Sequence, residues 1–468
     1  MPRALVSGLR AWAAERTPEA LARVTVFVNS RRMERRVRAM FDTGPACLLP
    51  RIRLVTDIGK DPISADLPPS VPPIRRRLEL ARLVSALIAA DPTLAPEASA
   101  FDLADSLAAL LEELEGENVE VGDITLRDIS DASGHWQRSQ RFLALVGTYL
   151  EAGGRDAPDP ALRLRLATER LIDSWRAAPP TDPVIVAGST GSRGTTRQLM
   201  EAVAGLDCGA LLLPGYDFDL PDGVWSTLAK SGPSFGEDHP QYRFASLLSA
   251  LETSNVTPWP VGAPEPARNR VLSLSLRPAP VTDQWLRHGP ALGDLRTAMS
   301  GVSLIEAPDP RTEAQAIAAA LRGAAEAGKT AALISPDRAL TRRVSALLDR
   351  WGIEPDDSAG RPLGQSAPGR LLRQIAAFSA RTLTSADLLA LLKHPLVATG
   401  SDRGQHLLQT RDLERWARAG GMAFAEPAAL KSFDGPEGWV DWVATCLPAL
   451  SPDPRGLAER LPDLLDAA

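Results

Sequence analysis

Three stretches of this 468-residue chain combine residue types and spacings that could hold a phosphate. The first, Gly323 to Thr330 (GAAEAGKT), matches the G-x-x-x-x-G-K-[ST] phosphate-loop pattern. A phosphate loop needs a strand before it and a helix after it, so that loop amides and a helix N-terminus converge on the anion. Here the helix-forming run EAQAIAAALR comes before and the apolar run TAALIS comes after. The order is inverted, so Gly328 reads as a helix C-cap and Lys329 as a last-turn cation.

The second stretch, IVAGSTGSRGTTRQ (185–198), runs from an apolar strand through a Gly/Ser-rich turn into a helix. That order suits an anion, but the stretch has neither a lysine nor a carboxylate. A nucleotide hydrolase wants an acid at the end of such a strand to hold magnesium, and position 187 is alanine. The plainer reading is a tight turn packed against a neighbouring element.

The third stretch is basic. Arg31, Arg32, Arg35, Arg36 and Arg38 follow the run RVTVFVN (23–29), and the 31/35 and 32/36 pairs lie four residues apart, on one helical stripe. With Asn29 and Ser30 at the helix start, the stripe could grip a phosphodiester backbone. A solvated surface is the alternative. Arg75 to Arg77 and Arg342-Arg343 are weaker versions of the same pattern. The five histidines (135, 239, 288, 394, 406) have no metal-ligand spacing, no G-x-S-x-G elbow occurs, and acidic pairs such as Glu112-Glu113 fall on helices.

The elements that would position these groups alternate. RVTVFVN predicts a buried strand, Ser30 a helix cap, and LLPRIRLVTDI (48–58) a second strand, the signature of a parallel sheet. From Pro72-Pro73 the pattern turns helical, over 74–115, 136–150 and 161–178. Strands return at PVIVAGST (183–190) and GALLLPGYD (209–217), with a helix between them. Residues 218–270 read as a long Pro/Gly/Trp-rich connection. VSLIEAPD (302–309) and TAALISP (330–336) predict strands of a second β-α-β-α unit, followed by helices at 370–396 and 405–418.

Composition narrows the function classes. Apolar residues make up 44% and charged residues 24%, as in ordinary folded protein, and at roughly 150 residues per domain the length predicts about three domains. The net charge of −6 gives no global nucleic-acid signature, although a DNA channel needs only a local basic stripe. Three distant cysteines, Cys47, Cys208 and Cys446, exclude a C-x-x-C site and point to a reducing cytoplasm. No stretch approaches the ~18 apolar residues of a membrane span, so no membrane association is expected.

Taken in order, VFVNSRRMERRVRAMF, LLPRIRLVTDIG, PIRRRLELARLV, HWQRSQRFLALV, PVIVAGSTGS, GVSLIEAPDPRTEAQAIAAALR, KTAALISPDRALTRRVSALLDRWGIEPDDSAGRPL and LLALLKHPL resemble AddB of the alphaproteobacterial type. AddB pairs with AddA in a helicase–nuclease that processes broken DNA ends. The resemblance runs over nearly the whole chain and rests on collinear order more than on any one motif. It implies an α/β, superfamily-one helicase-like body: two P-loop-NTPase-type parallel α/β domains with all-helical insertions. The expected layout is a first domain over 1–74 and 175–300, a helical insertion over 75–174, a second α/β domain over 301–380 and the start of a second insertion over 381–468.

The resemblance also implies a role. In AddB this half is degenerate: it guides single-stranded DNA and scans it for a recombination signal without driving unwinding. Carried onto this sequence, Asn29, Ser30, Arg31, Arg32 and Arg35 would contact the strand backbone, and no residue would be catalytic. AddB proteins are about twice this long, so the chain is expected to be the N-terminal half. No cofactor is expected here; the iron–sulfur cluster and magnesium belong to the C-terminal nuclease part. The partners would be an AddA-type subunit and DNA, single-stranded and at broken duplex ends. An active ATP-dependent motor using Gly323–Thr330, and a pure scaffold for AddA, are the alternatives.

Overall fold

A computed structural model describes residues 2–17, 19–91, 99–119, 144, 147, 157–230, 236–259, 265–360, 362–378, 381–400 and 402–447. The helix expected over 136–150 lies outside these residues apart from 144 and 147. The chain divides into two units, 1–302 and 303–468.

The first unit is built on a parallel sheet of four short strands: β1 (Thr25–Val28), β2 (Arg51–Leu54), β3 (Val184–Ala187) and β4 (Gly209–Leu212), in the order β2-β1-β3-β4. Its helices are α1 (Pro2–Ala14), α2 (Ala20–Arg23), α3 (Arg31–Asp42), α4 (Pro73–Ala90), α5 (Ala100–Glu117), α6 (Pro160–Ala177), α7 (Gly194–Ala204), α8 (Asp222–Lys230), α9 (Tyr242–Ala250), α10 (Pro266–Ser275), α11 (Gln284–His288) and α12 (Leu295–Ala298). The last five replace what the sequence reads as an irregular connection over 218–270 and its sequel.

Strand pleat sorts the core into two layers, because successive side chains point to opposite faces. Val26, Val28, Ile185 and Ala187 pack with α1 and α3 through Leu5, Leu9, Val37 and Phe41. Phe27, Val184 and Val186 pack on the other face with Ala167 of α6 and Leu199, Met200 and Val203 of α7. Helices on both faces are what an all-parallel sheet requires. α1 is pressed so closely by Trp259 that a Cβ on Gly8 would lie 2.2 Å from the indole, whose Nε1 donates to Ala4 O at 2.6 Å.

The helices α4 and α5 pair through Leu80, Val84, Leu107 and Leu111. A buried ion pair ties this helix pair to the sheet unit: Arg76 Nε donates to Asp159 Oδ1 at 2.6 Å, at the cap of α6. The neighbouring cations are also consumed, Arg75 by Glu79 and Arg77 by Asp105. The 75–77 run is therefore a set of structural pins.

The second unit holds α13 (Pro310–Glu326), α14 (Arg338–Asp349), α15 (Ala367–Phe378), α16 (Ser385–Leu392), α17 (Arg403–Ala419), α18 (Pro427–Leu430) and α19 (Glu437–Cys446). The strands expected at 302–309 and 330–336 do not form among the described residues, where α13 and α14 pack together as a helical pair. A strand needs neighbours for its backbone groups, and two short runs alone are marginal. Leu333 packs against α13 and α14, yet Ile334 is 94% exposed and Leu304 85%. The single helix expected over 370–396 is two, because Thr384 and Asp387 form a reciprocal capping box that starts α16.

Candidate nucleic-acid interface

The strand order places a topological switch point between β1 and β3. From β1 the chain passes through α3 to β2 on one side, and it returns on the other side as β3. Ligands of open α/β sheets bind outside the carboxyl ends of strands at such a crevice. Val28, Leu54, Ala187 and Leu212 are in register along that edge.

Asn29 and Ser30 follow β1 directly and are exposed. Asn29 Nδ2 donates to Gly188 O at 2.9 Å, bridging the ends of β1 and β3 across the crevice. Ser30 caps α3, its Oγ accepting from Met33 N at 3.2 Å. Met33, Val37 and Phe41 turn inward, so helical periodicity turns Arg31, Arg32, Arg35 and Arg36 to solvent.

These cations are not equally free. Arg31 Nη2 stands 4.0 Å from Asp57 Oδ1, which Lys60 approaches more closely at 2.6 Å. Arg38 is held by Glu34 at 2.9 Å. Arg35 and Arg36 have no ion-pair partner among the described residues, so Arg35 is the more available cation of the proposed set. Exposed Ser192 and Arg193, at the end of neighbouring β3, join the same sheet edge. Spacing alone could not have brought Asp57 and Lys60 to Arg31, because they reach it from the turn that follows β2.

The turn after β3 is tight. Gly188 and Gly191 have φ of 81° and 66°, a region open to glycine, and Ser189 Oγ accepts from Gly191 N at 3.1 Å. The N-terminus of α7 that follows could serve an anion, but one is already there. Gly194 N donates to Glu117 Oε1 at 2.8 Å, and Thr195 Oγ1 donates to Gly116 O at 3.3 Å. The end of α5 thus caps α7 in place of Arg193, whose side chain does not. Ala187 closes β3 with a buried methyl group and has no oxygen to offer a magnesium ion.

The match at Gly323–Thr330 has the geometry of a helix end. Gly323 lies inside α13, Gly328 has φ 64°, Gly328 N donates to Ala325 O at 3.0 Å and Lys329 N to Ala324 O at 2.8 Å. That pair of bonds is a Schellman closure, which spends the amides a phosphate loop would need.

A cavity of about 690 Å³ at the amino ends of β3 and β4 is lined by Glu169, Asp173, Glu201 and Asp207 against Arg176. Three histidines serve the backbone: His239 Nδ1 accepts from Gln241 N, His394 Nδ1 accepts from Leu396 N, and His406 bonds Leu392 O through Nε2 while its Nδ1 accepts from the Trp439 indole. Burial pushes His239 and His394 below the usual imidazole range. Among the described residues no three His, Cys, Asp or Glu side chains cluster as metal ligands would, and no helix is long and apolar enough to cross a membrane. Set against protein-family models and curated proteins, the chain, a mixed α/β protein with a small parallel sheet, matches none.

Proposed function

We propose that the carboxyl edge of β1 and β3 guides a single DNA strand. The chain would then be the non-catalytic, helicase-like half of an AddB-type subunit that acts with an AddA-type partner on broken DNA ends in the cytoplasm. The observation that carries this reading is the Asn29–Gly188 bridge at the switch point, with exposed arginines on the helix that begins there. Phosphates supply most of the affinity for nucleic acid, and a guanidinium holds a phosphate oxygen pair well. Asn29 and Ser30 would orient the strand, while Arg31, Arg32 and Arg35 would touch its backbone more than its bases. A chain that scans for a recombination signal must let the strand slide, and backbone contacts permit that.

A motor role has less support. Ala187 lacks the magnesium carboxylate, Glu117 takes the Gly194 amide that opens α7, and Lys329 closes a helix. A scaffold role draws on a different observation, the exposed Leu304, Ile305 and Ile334, which offer a partner protein an apolar surface.

The test is ultraviolet crosslinking of labelled oligothymidine to the purified chain, with ATP turnover measured in parallel. Adducts in peptides spanning 29–38 and 188–193, with no DNA-stimulated turnover, are expected. Adducts confined to other peptides would overturn the reading.

A further inference from the structure

The loop after β4 opens at the same sheet edge as the turn after β3. Leu212 O, at the end of β4, accepts from Gly188 N at 3.1 Å, so the two segments leave the sheet side by side. The loop reads LPGYDFD (213–219) and brings Phe218 to the surface, 51% exposed. Its backbone is pinned from both sides. Buried Gln241 donates from Nε2 to Gly215 O at 2.9 Å, and its Oε1 accepts from Asp217 N at 3.1 Å. Asp217 Oδ1 in turn accepts from Asp219 N at 2.9 Å.

The Phe218 ring is backed by other rings. Tyr216 meets it edge-on, with centroids 4.8 Å apart and planes at 62°. Tyr216 itself stacks on Trp225 of α8 at 4.7 Å and 12°, and leans on buried Phe244 of α9 at 6.1 Å. Edge-on and stacked rings at these separations attract each other, so the exposed ring is held in one place. Phe218 nevertheless stays outside the small core that Leu220, Val224, Leu228 and Ala245 form beside it. An aromatic side chain that is fixed but left half open is built to receive something flat.

Charge says which part of a DNA strand that would be. Asp217, Asp219 and Asp222 lie around the ring, and burial, then Asp222 and Asp217, push the Tyr216 phenol above its usual range. Carboxylates repel phosphates. The cations stand on the other side, at Arg31, Arg32, Arg35 and Arg193. A strand on this edge therefore meets the β1/β3 side with its phosphates and the β4 side with its bases.

We propose that Phe218 is a stacking platform for one nucleobase of the guided strand. The proposal rests on the DNA-guiding reading and deepens it by naming a base contact beside the backbone contacts. Every base has a π face, so a sliding strand renews this contact at each step whatever its sequence.

The experiment measures binding by the full chain as wild type, Phe218→Ala and Phe218→Trp. The probes are oligothymidine and an oligomer with the same number of phosphates whose bases are replaced by abasic sites. Stacking one base on an aromatic side chain is worth about five-fold in affinity or more. Phe218→Ala should lose at least about that factor on oligothymidine and nothing on the abasic oligomer. Its salt slope should match the wild type, because no charge is removed. Phe218→Trp, which keeps a π face, should bind oligothymidine as well as the wild type. An equal loss on both probes, no loss on either, or a Trp variant as weak as the Ala variant would overturn the platform and leave the edge reading standing. No binding of either probe by the wild type would overturn the edge reading, and the platform with it.

Discussion

Asp159 is the carboxylate whose loss should cost the first unit most. Its side chain is 5% exposed and faces Arg76, 9% exposed, at 2.6 Å, and Arg76 also reaches Glu79 at 3.2 Å and Ala157 O at 3.4 Å. Asp159→Ala leaves a guanidinium in a dry site with only the partly exposed Glu79 to balance it. Breaking one side of a buried pair costs about 3–5 kcal/mol, and Glu79 places this case near about 3 kcal/mol. Asp159→Asn keeps an acceptor and should cost about half as much. Urea unfolding monitored by tryptophan fluorescence reads both values. The decisive variant adds Arg76→Met to Asp159→Ala, which removes the stranded charge and should recover part of the loss. A double variant that loses the sum of the two single effects, or an Asp159→Ala cost below about 1 kcal/mol, would refute the reasoning.

Gly8→Ala should destabilise by about 1–3 kcal/mol, because the new methyl group would overlap the Trp259 indole; an unchanged melting temperature would contradict that packing. Acid should weaken the fold. His239 lies between Asp217 and Arg277, and burial dominates its downward shift, as burial beside Arg370 and Arg403 does for His394. Burial holds both imidazoles neutral in the folded chain, so the unfolded chain binds protons first, and stability falls as pH drops below about 6.5. A melting temperature that rises between pH 7 and pH 5.5 would contradict the assignment. In the second unit, Ile334→Lys should leave stability within about 0.5 kcal/mol, whereas Leu348→Ala should cost about 2–4 kcal/mol by differential scanning fluorimetry. Similar losses for both would mean that Ile334 is covered in solution.

What could be read from the sequence was local. The β1 run, the Ser30 cap, Ala187 at the end of β3 and the C-cap at Gly328 all follow from the few residues around them, and each stands as the spacing predicts. The helix break before α16 was just as local, since Thr384 and Asp387 are a capping box in plain view, masked by the apolar run around it. What failed depended on distant partners. VSLIEAPD and TAALISP have strand composition, but a strand exists only where another offers its backbone, and the described residues supply none. The helices α8, α9 and α10 were hidden because Pro, Gly and Trp between short helices look like a loop.

The interface divides in the same way. Asn29, Ser30 and the arginine stripe announced themselves, because a strand, a cap and a cationic helix follow one another without a gap. Nothing near Glu117 or Gly194 in sequence says that one caps the other. Nor does anything near Arg31 reveal Asp57, which draws off part of its charge.

The central claim is that phosphates run along the β1/β3 edge past α3, and salt dependence tests it most directly. Oligothymidine binding by the wild type and by an Arg31→Ala, Arg32→Ala, Arg35→Ala triple variant should be measured from 50 to 300 mM salt. Each lost single-strand phosphate contact lowers the slope of log K against log salt by about 0.7, so three give about 2. The account predicts weaker binding to all sequences and a slope flatter by about that amount. A triple variant that keeps both the affinity and the slope of the wild type would contradict it and return these arginines to a solvated surface.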